Sequence, residues 1–480
     1  MHGRSKLPDQ ARTRLAVLLA IAAAHVAVVS ALTWPGFASF DTAYQWWMAR
    51  QWEISTLWPP SYVISFHVLD LLRPMLSAPT AWFLINLVLI NLGAALVAFS
   101  CARTLMGTIF CHVAIVGSPV AWLLVPHIWS DVVLVSTLLL STGGMMLVAI
   151  RGRSPVIGRL ILAASLFGLF AAVGVRHNAV IAVFPLTVLW LVVATDTRVT
   201  APRALILMVI YGAAVTTLFA VMHLAVSRWV TAVRADNWAI TAIWDLQALS
   251  VASGQNLVPK SISANTDVAD LRSSFDPTNA VGLYSNSRAQ WANSTTGLTQ
   301  LQALDLATAW RSAILTYPAH YLSHRAGVTA MLVGVQSNGR VGTRVEPVQT
   351  QFRDNPPRHF WWAAGIDLWR KIALVMGALW ITSPAATMAI AAFTLVAGLM
   401  RSQRVVHSGN LVSDAFGRGG KLLFAVAITA SGLLYLAGLF FTAPASDMRF
   451  AFWPVIALVL AAILTSTTRS VGATVSVASS

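Results

Sequence analysis

The amino-acid sequence predicts an all-α, polytopic membrane protein of about ten transmembrane helices with a helical domain on one side, because apolar stretches of spanning length recur along it. Three observations carry this. Apolar residues make up 57% of the 480-residue chain and charged residues 10%, whereas soluble domains carry about 25% charged residues. Mean hydropathy is +0.70. Apolar segments lie near 15–33, 81–101, 104–125, 132–150, 159–175, 179–195, 204–227, 378–400, 422–442 and 449–467. Lipid can solvate such a surface; water cannot.

The polar, basic stretch Met1–Arg14 leads into the apolar run Leu15–Leu32. Trp34-Pro35-Gly36-Phe37 follows in place of a small-residue cleavage site, so the run reads as a retained first helix. The loop 34–80 holds Trp46, Trp47, Trp52 and Trp58, then the apolar stretch Tyr62–Leu72 interrupted by His67 and Asp70. That stretch is too short to span and reads as a helix on the membrane surface. Residues 1–227 thus form an N-terminal transmembrane module that includes this loop. Residues 228–358 are polar and lack the alternating runs of a sheet, so they read as a helical domain outside the membrane. In the module 359–480, Trp361, Trp362, Trp369, Arg370 and Lys371 suggest an aromatic-anchored interfacial helix over roughly Phe360 to Met376, leading into one span. Lys371–Met400, with Pro384 inside, leaves one span or two open.

The net charge is +15 and the isoelectric point about 10.9, values that usually suggest nucleic acid. Here the basic residues fall in short loops between spans, the pattern of orientation signals, and no nucleic-acid partner is expected. With the N-terminus in the cytoplasm, Arg151/Arg153/Arg159, Arg198/Arg203, Arg401/Arg404/Arg418/Lys421 and Arg469 all face the cytoplasm. Cys101 and Cys111 lie in apolar segments and form no CxxC pair.

Ionisable residues at membrane depth are costly and are functional candidates. Four clusters share the non-cytoplasmic side. Asp41, with Tyr44 one helical turn on, reads as a general base or as a helix N-cap. Asp131, with His127 before it, reads as an N-cap or as a second carboxylate. Arg176-His177-Asn178 sits between two spans with almost no loop, as an anion site or a snorkelling arginine. Asp447-Met448-Arg449 precedes the last span, as a local ion pair or an arginine braced for an anion. Carboxylates and arginines gathered at one face suit chemistry on a lipid-linked anion.

These residues resemble a known pattern. Asp41, Tyr44 and Trp58-Pro59-Pro60 resemble the first outer loop of GT-C glycosyltransferases, multi-span enzymes that use polyprenyl-phosphate sugars. Arg176-His177-Asn178-Ala179 with Pro185 resembles the Arg-x-Asn-Ala…Pro stretch of bacterial relatives. Asp447-Met448-Arg449-Phe450 with Pro454 is similar to their Asp-x-Arg-Tyr…Pro element, with Phe in place of Tyr. Asp245-Leu246 with Leu249-Ser250, and Tyr317-Pro318 with Tyr321-Leu322 and His324-Arg325, look like segments of uncharacterised bacterial membrane proteins of this type. Ser130 stands where many relatives carry a basic residue or a second acid beside the Asp131 position.

The resemblance implies an inverting glycosyltransferase of a bacterial inner membrane. The donor is a polyprenyl-phosphate sugar and the acceptor an envelope glycan, lipid or protein. In this expectation Asp41 orients or deprotonates the acceptor hydroxyl, with Asp131 in support or in a divalent-cation site. Arg176, Arg325 and Arg449 hold the donor phosphate, with His127 and His177 assisting and Tyr44, Asn178 and Asp447 nearby. The resemblance names no definite cofactor and leaves a divalent cation open. Two alternatives remain: a lipid-linked glycan polymerase or ligase, and a flippase, whose mark would be a broken span such as Gly143-Gly144 could provide.

Overall fold

The computed structural model describes residues 9–151, 155–196, 202–280, 297–335, 347–406 and 420–467. Arg153, Arg198, Arg418 and Arg469 lie outside the described residues, as do 281–296 and 336–346 of the polar segment. All regular elements described are helices. In chain order they are α1 (Asp9–Thr33), α2 (Phe40–Gln51), α3 (Pro60–Asp70), α4 (Ala78–Cys101), α5 (Leu105–Val116), α6 (Pro119–Leu124), α7 (Ser130–Arg151), α8 (Pro155–Val175) and α9 (Ala179–Thr195). They continue as α10 (Pro202–Val230), α11 (Asn237–Ser253), α12 (Val268–Ser274), α13 (Gln300–Thr316), α14 (Pro318–Leu332), α15 (Ala363–Ala378), α16 (Pro384–Val406), α17 (Lys421–Thr442) and α18 (Phe452–Ser466).

Among the described residues, seven helices are long and apolar enough to cross a membrane: α1, α4, α7, α8, α10, α17, and α18 with the turn before it. Of the other expected segments, 104–125 is divided between Leu105–Val116 and α6, 179–195 coincides with the apolar helix Ala179–Thr195, and 378–400 falls on α16, apolar over Pro384–Gly398. The first of these departs from the expected single span for a local reason. Ser118 caps a new helix by accepting from the Ala121 amide at 3.3 Å, and Pro119 occupies its first turn. Proline has no N–H to give the preceding turn, so α5 stops and α6 starts. The same dipeptide, Ser383-Pro384, starts α16, with Ser383 Oγ accepting from the Ala386 amide at 3.1 Å. Pro384 therefore begins a helix, after a 3-10 turn that separates it from α15.

The bundle is graded in burial. In the most apolar stretch of Met448–Ser466, 89% of residues are buried, against 11% in Asp9–Thr33 and 17% in Arg203–Val230. The last helix is thus the centre, and α1 and α10 are peripheral and available to lipid. Small residues set the α4–α7 contact. A Cβ at Gly93 would lie 2.8 Å from the Leu140 amide, and one at Gly143 2.9 Å from the Gly93 carbonyl. Close backbone approach of this kind is how membrane helices gain packing without a hydrophobic driving force. Gly143 and Gly144 therefore serve packing inside an unbroken α7 and make no mid-membrane break.

At one end of the bundle, cations cap orphan carbonyls. Arg14 Nη1 donates to Ala102 O at 2.7 Å, Arg151 donates to Phe99 O and Ala102 O, and Lys421 Nζ donates to Cys101 O at 2.8 Å and Thr467 O at 2.9 Å. The last carbonyls of α4 and α18 thus gain partners of favourable charge. The opposite end is capped by α2, α3 and α11–α14. Tyr62, Val63 and Phe66 of α3 are buried, while Val68 and Leu71 are exposed, as a surface helix requires. On α15, Ile366, Trp369 and Ala373 are buried and Leu368, Leu374 and Val375 are exposed, and Trp361 Nε1 reaches Ala31 O at 3.0 Å.

Candidate functional site

The capped end gathers four residues far apart in sequence. Backbone pairing sets this up: the Phe37 amide donates to Pro126 O at 2.9 Å, and the Ile128 amide returns to Phe37 O at 3.0 Å. Thr42 Oγ1 donates to Ile128 O at 2.7 Å and Trp129 Nε1 to Ser39 Oγ at 2.9 Å. The start of α2 is thereby pinned beside the start of α7, which brings Asp41 next to Asp131.

Arg449 is the hub. Its Nη1 donates to Asp41 Oδ2 at 3.0 Å, and its Nε lies 3.0 Å from Asp447 Oδ2 and 4.0 Å from Asp131 Oδ2. Arg176 pairs with Asp131 and reaches Asn178 Oδ1 at 3.4 Å. The Phe450 ring receives both cations, Arg176 at 4.8 Å and Arg449 at 5.2 Å from its centroid. Both contacts are made by the face of the ring, which phenylalanine presents without a hydroxyl. Burial alone would lower the Arg176 pKa, but the Asp131 carboxylate, by charge and hydrogen bond, together with Tyr435 outweighs it and the net shift is upward. The two acids differ in access: the Asp41 side chain is 34% exposed and the Asp131 side chain 4%. Neither is an N-cap, since each lies inside the first turn of its helix.

Asp447 braces Arg449 through both backbone and side chain, with Oδ1 accepting from the Arg449 amide at 3.0 Å. His177 Nε2 accepts from Asn237 Nδ2 at 3.0 Å. Desolvation and the neighbouring Arg176 hold its pKa below the usual imidazole range. Tyr44 lies one turn after Asp41 in an aromatic group. His127 is buried, stacked on Trp129 at 4.1 Å and edge-on to Phe37 at 4.9 Å; Trp129 also carries Arg449 at 5.0 Å from its ring. His127 therefore supports the site through Trp129.

Arg325 is placed elsewhere. It is fully buried in α14, donating to Asp245 Oδ2 at 2.7 Å and to Ala443 O at 2.8 Å. Trp310 Nε1 also donates to Asp245, at 3.0 Å, and His324 lies 3.4 Å from it. The patches around Asp245 and His324-Arg325 thus form one buried network that joins the cap to the end of α17. Sequence reasoning missed Trp129 and Tyr435, whose hydroxyl reaches Asn178 Oδ1 at 3.4 Å. A phenol within the mostly apolar α17 was the available signal.

Three carboxylates (Asp41, Asp131, Asp447) face two guanidinium groups (Arg176, Arg449), so net charge does not by itself attract an anion. Directed N–H groups can: among the described residues, Nη2 of both arginines lacks a hydrogen-bond partner. Nor do the residues fit a divalent cation. Among those described, no group of three acidic, His or Cys side chains could hold a metal, because the carboxylates converge on Arg449 instead. Asp41 Oδ1 is likewise unpaired there and can take a proton. Comparison of this chain with protein-family models, curated proteins and solved structures found no match.

Proposed function

We propose that this chain is an integral membrane glycosyltransferase that moves a sugar from a polyprenyl-phosphate donor to a cell-envelope acceptor. In this reading the N-terminus is cytoplasmic, the membrane is a bacterial inner membrane, and the helical cap lies outside. The reading rests on one arrangement above all. A part-exposed carboxylate, Asp41, shares Arg449 with a buried Asp131–Arg176 pair at the capped end of a lipid-facing bundle.

The chemistry follows from that asymmetry. The acceptor hydroxyl oxygen bonds to the anomeric carbon as the bond from that carbon to the phosphate oxygen breaks. The electron pair leaves on polyprenyl phosphate, and the hydroxyl proton passes to Asp41 Oδ1. Attack opposite the leaving group inverts the sugar carbon. Arg449 and Arg176 turn their remaining N–H groups to the departing phosphate, held in place beforehand by Asp447 and Asp131, so little reorganisation is needed as charge develops.

The test is sugar transfer by the purified protein in nanodiscs, with radiolabelled polyprenyl-phosphate sugars and an envelope extract. Label should move with wild type and not with Asp41→Asn. Full transfer by that variant would sink the mechanism, and donor binding without transfer by wild type would favour a flippase.

A further inference from the structure

Beside Asp41 lies a group of aromatic rings that the phosphate chemistry does not use. Tyr44 is its centre: its ring lies 5.8 Å from Phe40, 5.2 Å edge-on from Trp58, 4.8 Å from Phe352 and 5.9 Å from Trp47. Trp47 is buried and backed by the Arg353 guanidinium at 3.9 Å from its ring, so it forms the floor. Phe40, by contrast, is 54% exposed.

We infer that the acceptor is a glycan, and that one of its pyranose rings sits on Phe40, Tyr44, Trp58 and Phe352 with a hydroxyl turned to Asp41. This rests on the transferase reading above. Three features select a sugar over a lipid chain or a peptide. A pyranose has an apolar C–H face that matches exposed aromatic rings and an edge of hydroxyls that needs polar partners. Among the described residues, the Tyr44 hydroxyl and the Trp58 indole N–H, both on part-exposed side chains, make no hydrogen bond within the protein and are free to meet a sugar hydroxyl. Asp41 lies one helical turn from Tyr44, and its Oδ1 is the acceptor that a sugar hydroxyl would meet. An acyl chain offers a partner to none of these three polar groups.

The platform is also joined to the arginine side of the site. Asn237 Nδ2 lies 2.9 Å from Thr56 O and 3.0 Å from His177. The Thr56–Trp58 segment is therefore tied through Asn237 to His177, the neighbour of Arg176.

The experiment has two arms, both with the full chain in nanodiscs. The first is binding without donor: neutral oligosaccharides of mannose, galactose, glucose and N-acetylglucosamine are titrated against intrinsic tryptophan fluorescence. A saturable response from one of them, weakened about tenfold in Phe40→Ala and Tyr44→Ala, is expected from loss of ring contact. Tyr44→Phe keeps the ring and tests the hydroxyl alone, and Phe40→Ala spares the fold because that ring is mostly exposed. No response to any oligosaccharide overturns the platform. The second arm is transfer kinetics. The acceptor KM should rise about tenfold in the two alanine variants, with the donor KM within about twofold of wild type. A rise in donor KM instead, or transfer only to sugar-free acceptors, overturns the assignment while leaving the transferase reading intact. Absence of transfer from every donor overturns that reading and the acceptor role with it, whereas the binding arm still decides whether the rings hold a sugar.

Discussion

Asp41 and Asp131 are the same residue type near the same arginine, and their surroundings give them different work. Asp41 keeps an oxygen open to solvent; Asp131 is buried against Arg176. Asp41→Asn should therefore abolish transfer while leaving thermal unfolding in detergent nearly unchanged. Asp131→Asn should cost about 3–5 kcal/mol of stability, the usual result of stranding a buried charge, and the same unfolding measurement reads it. Arg325→Ala belongs with the second kind. It strands the buried Asp245, so it should lower stability by a similar amount, about 3–5 kcal/mol. The soluble yield and unfolding midpoint should fall before any donor affinity changes. The acids at span ends were legible as candidates because carboxylates are so rare in this chain. Their partners were not: Asp41 meets an arginine 408 positions away, and nothing local to either residue encodes that meeting. The same holds for Arg325, whose motif placed it beside the phosphate and whose packing buries it on Asp245.

At the scale of elements, the helices are bounded by short-range chemistry and joined by small residues. Ser118-Pro119 and Ser383-Pro384 start helices because serine accepts from the free amide three residues on and proline needs no partner for its own nitrogen. Both signals stood in the sequence, yet continuous apolarity carried the expected span 104–125 across the first and left Lys371–Met400 open as one span or two; a hydropathy average over many residues blurs a boundary two residues wide. Gly93→Ala should cost about 1–3 kcal/mol, the range for overpacking, because the added methyl meets α7 backbone that cannot yield. An unfolding midpoint equal to wild type would mean that α4 and α7 are less tightly packed than their backbones indicate. The surface character of α3 was readable from a stretch too short to span. Its seat on the bundle was not, since that depends on Ser61 meeting His223 at 2.8 Å and Trp82 meeting Ser65 at 3.1 Å.

At the scale of the whole molecule, the chain separates a basic end, where Arg14, Arg151 and Lys421 cap carbonyls, from an end of mixed charge under a helical cap. The proposed orientation can be tested directly. Cys101 and Cys111 are both buried, so the native chain should resist a membrane-impermeant maleimide. Ala252→Cys, exposed in the cap, should label in intact spheroplasts, and Arg103→Cys, at the opposite end, only after lysis. The reverse pattern would overturn the sidedness and move the proposed donor to the other leaflet. By itself the sequence determined that the chain is a multi-span, all-helical membrane protein with rare charged residues at span ends. Transfer into lipid is a cost summed residue by residue along a local stretch, so a linear reading recovers it. Only the tertiary structure decided which of those charged residues meet. Helix adjacency arises from side-chain packing between segments hundreds of residues apart, where the free energy belongs to the contact and to no single stretch of chain. That is why Arg449 became the hub, Arg325 a buried strut, and Tyr44 the centre of an aromatic floor.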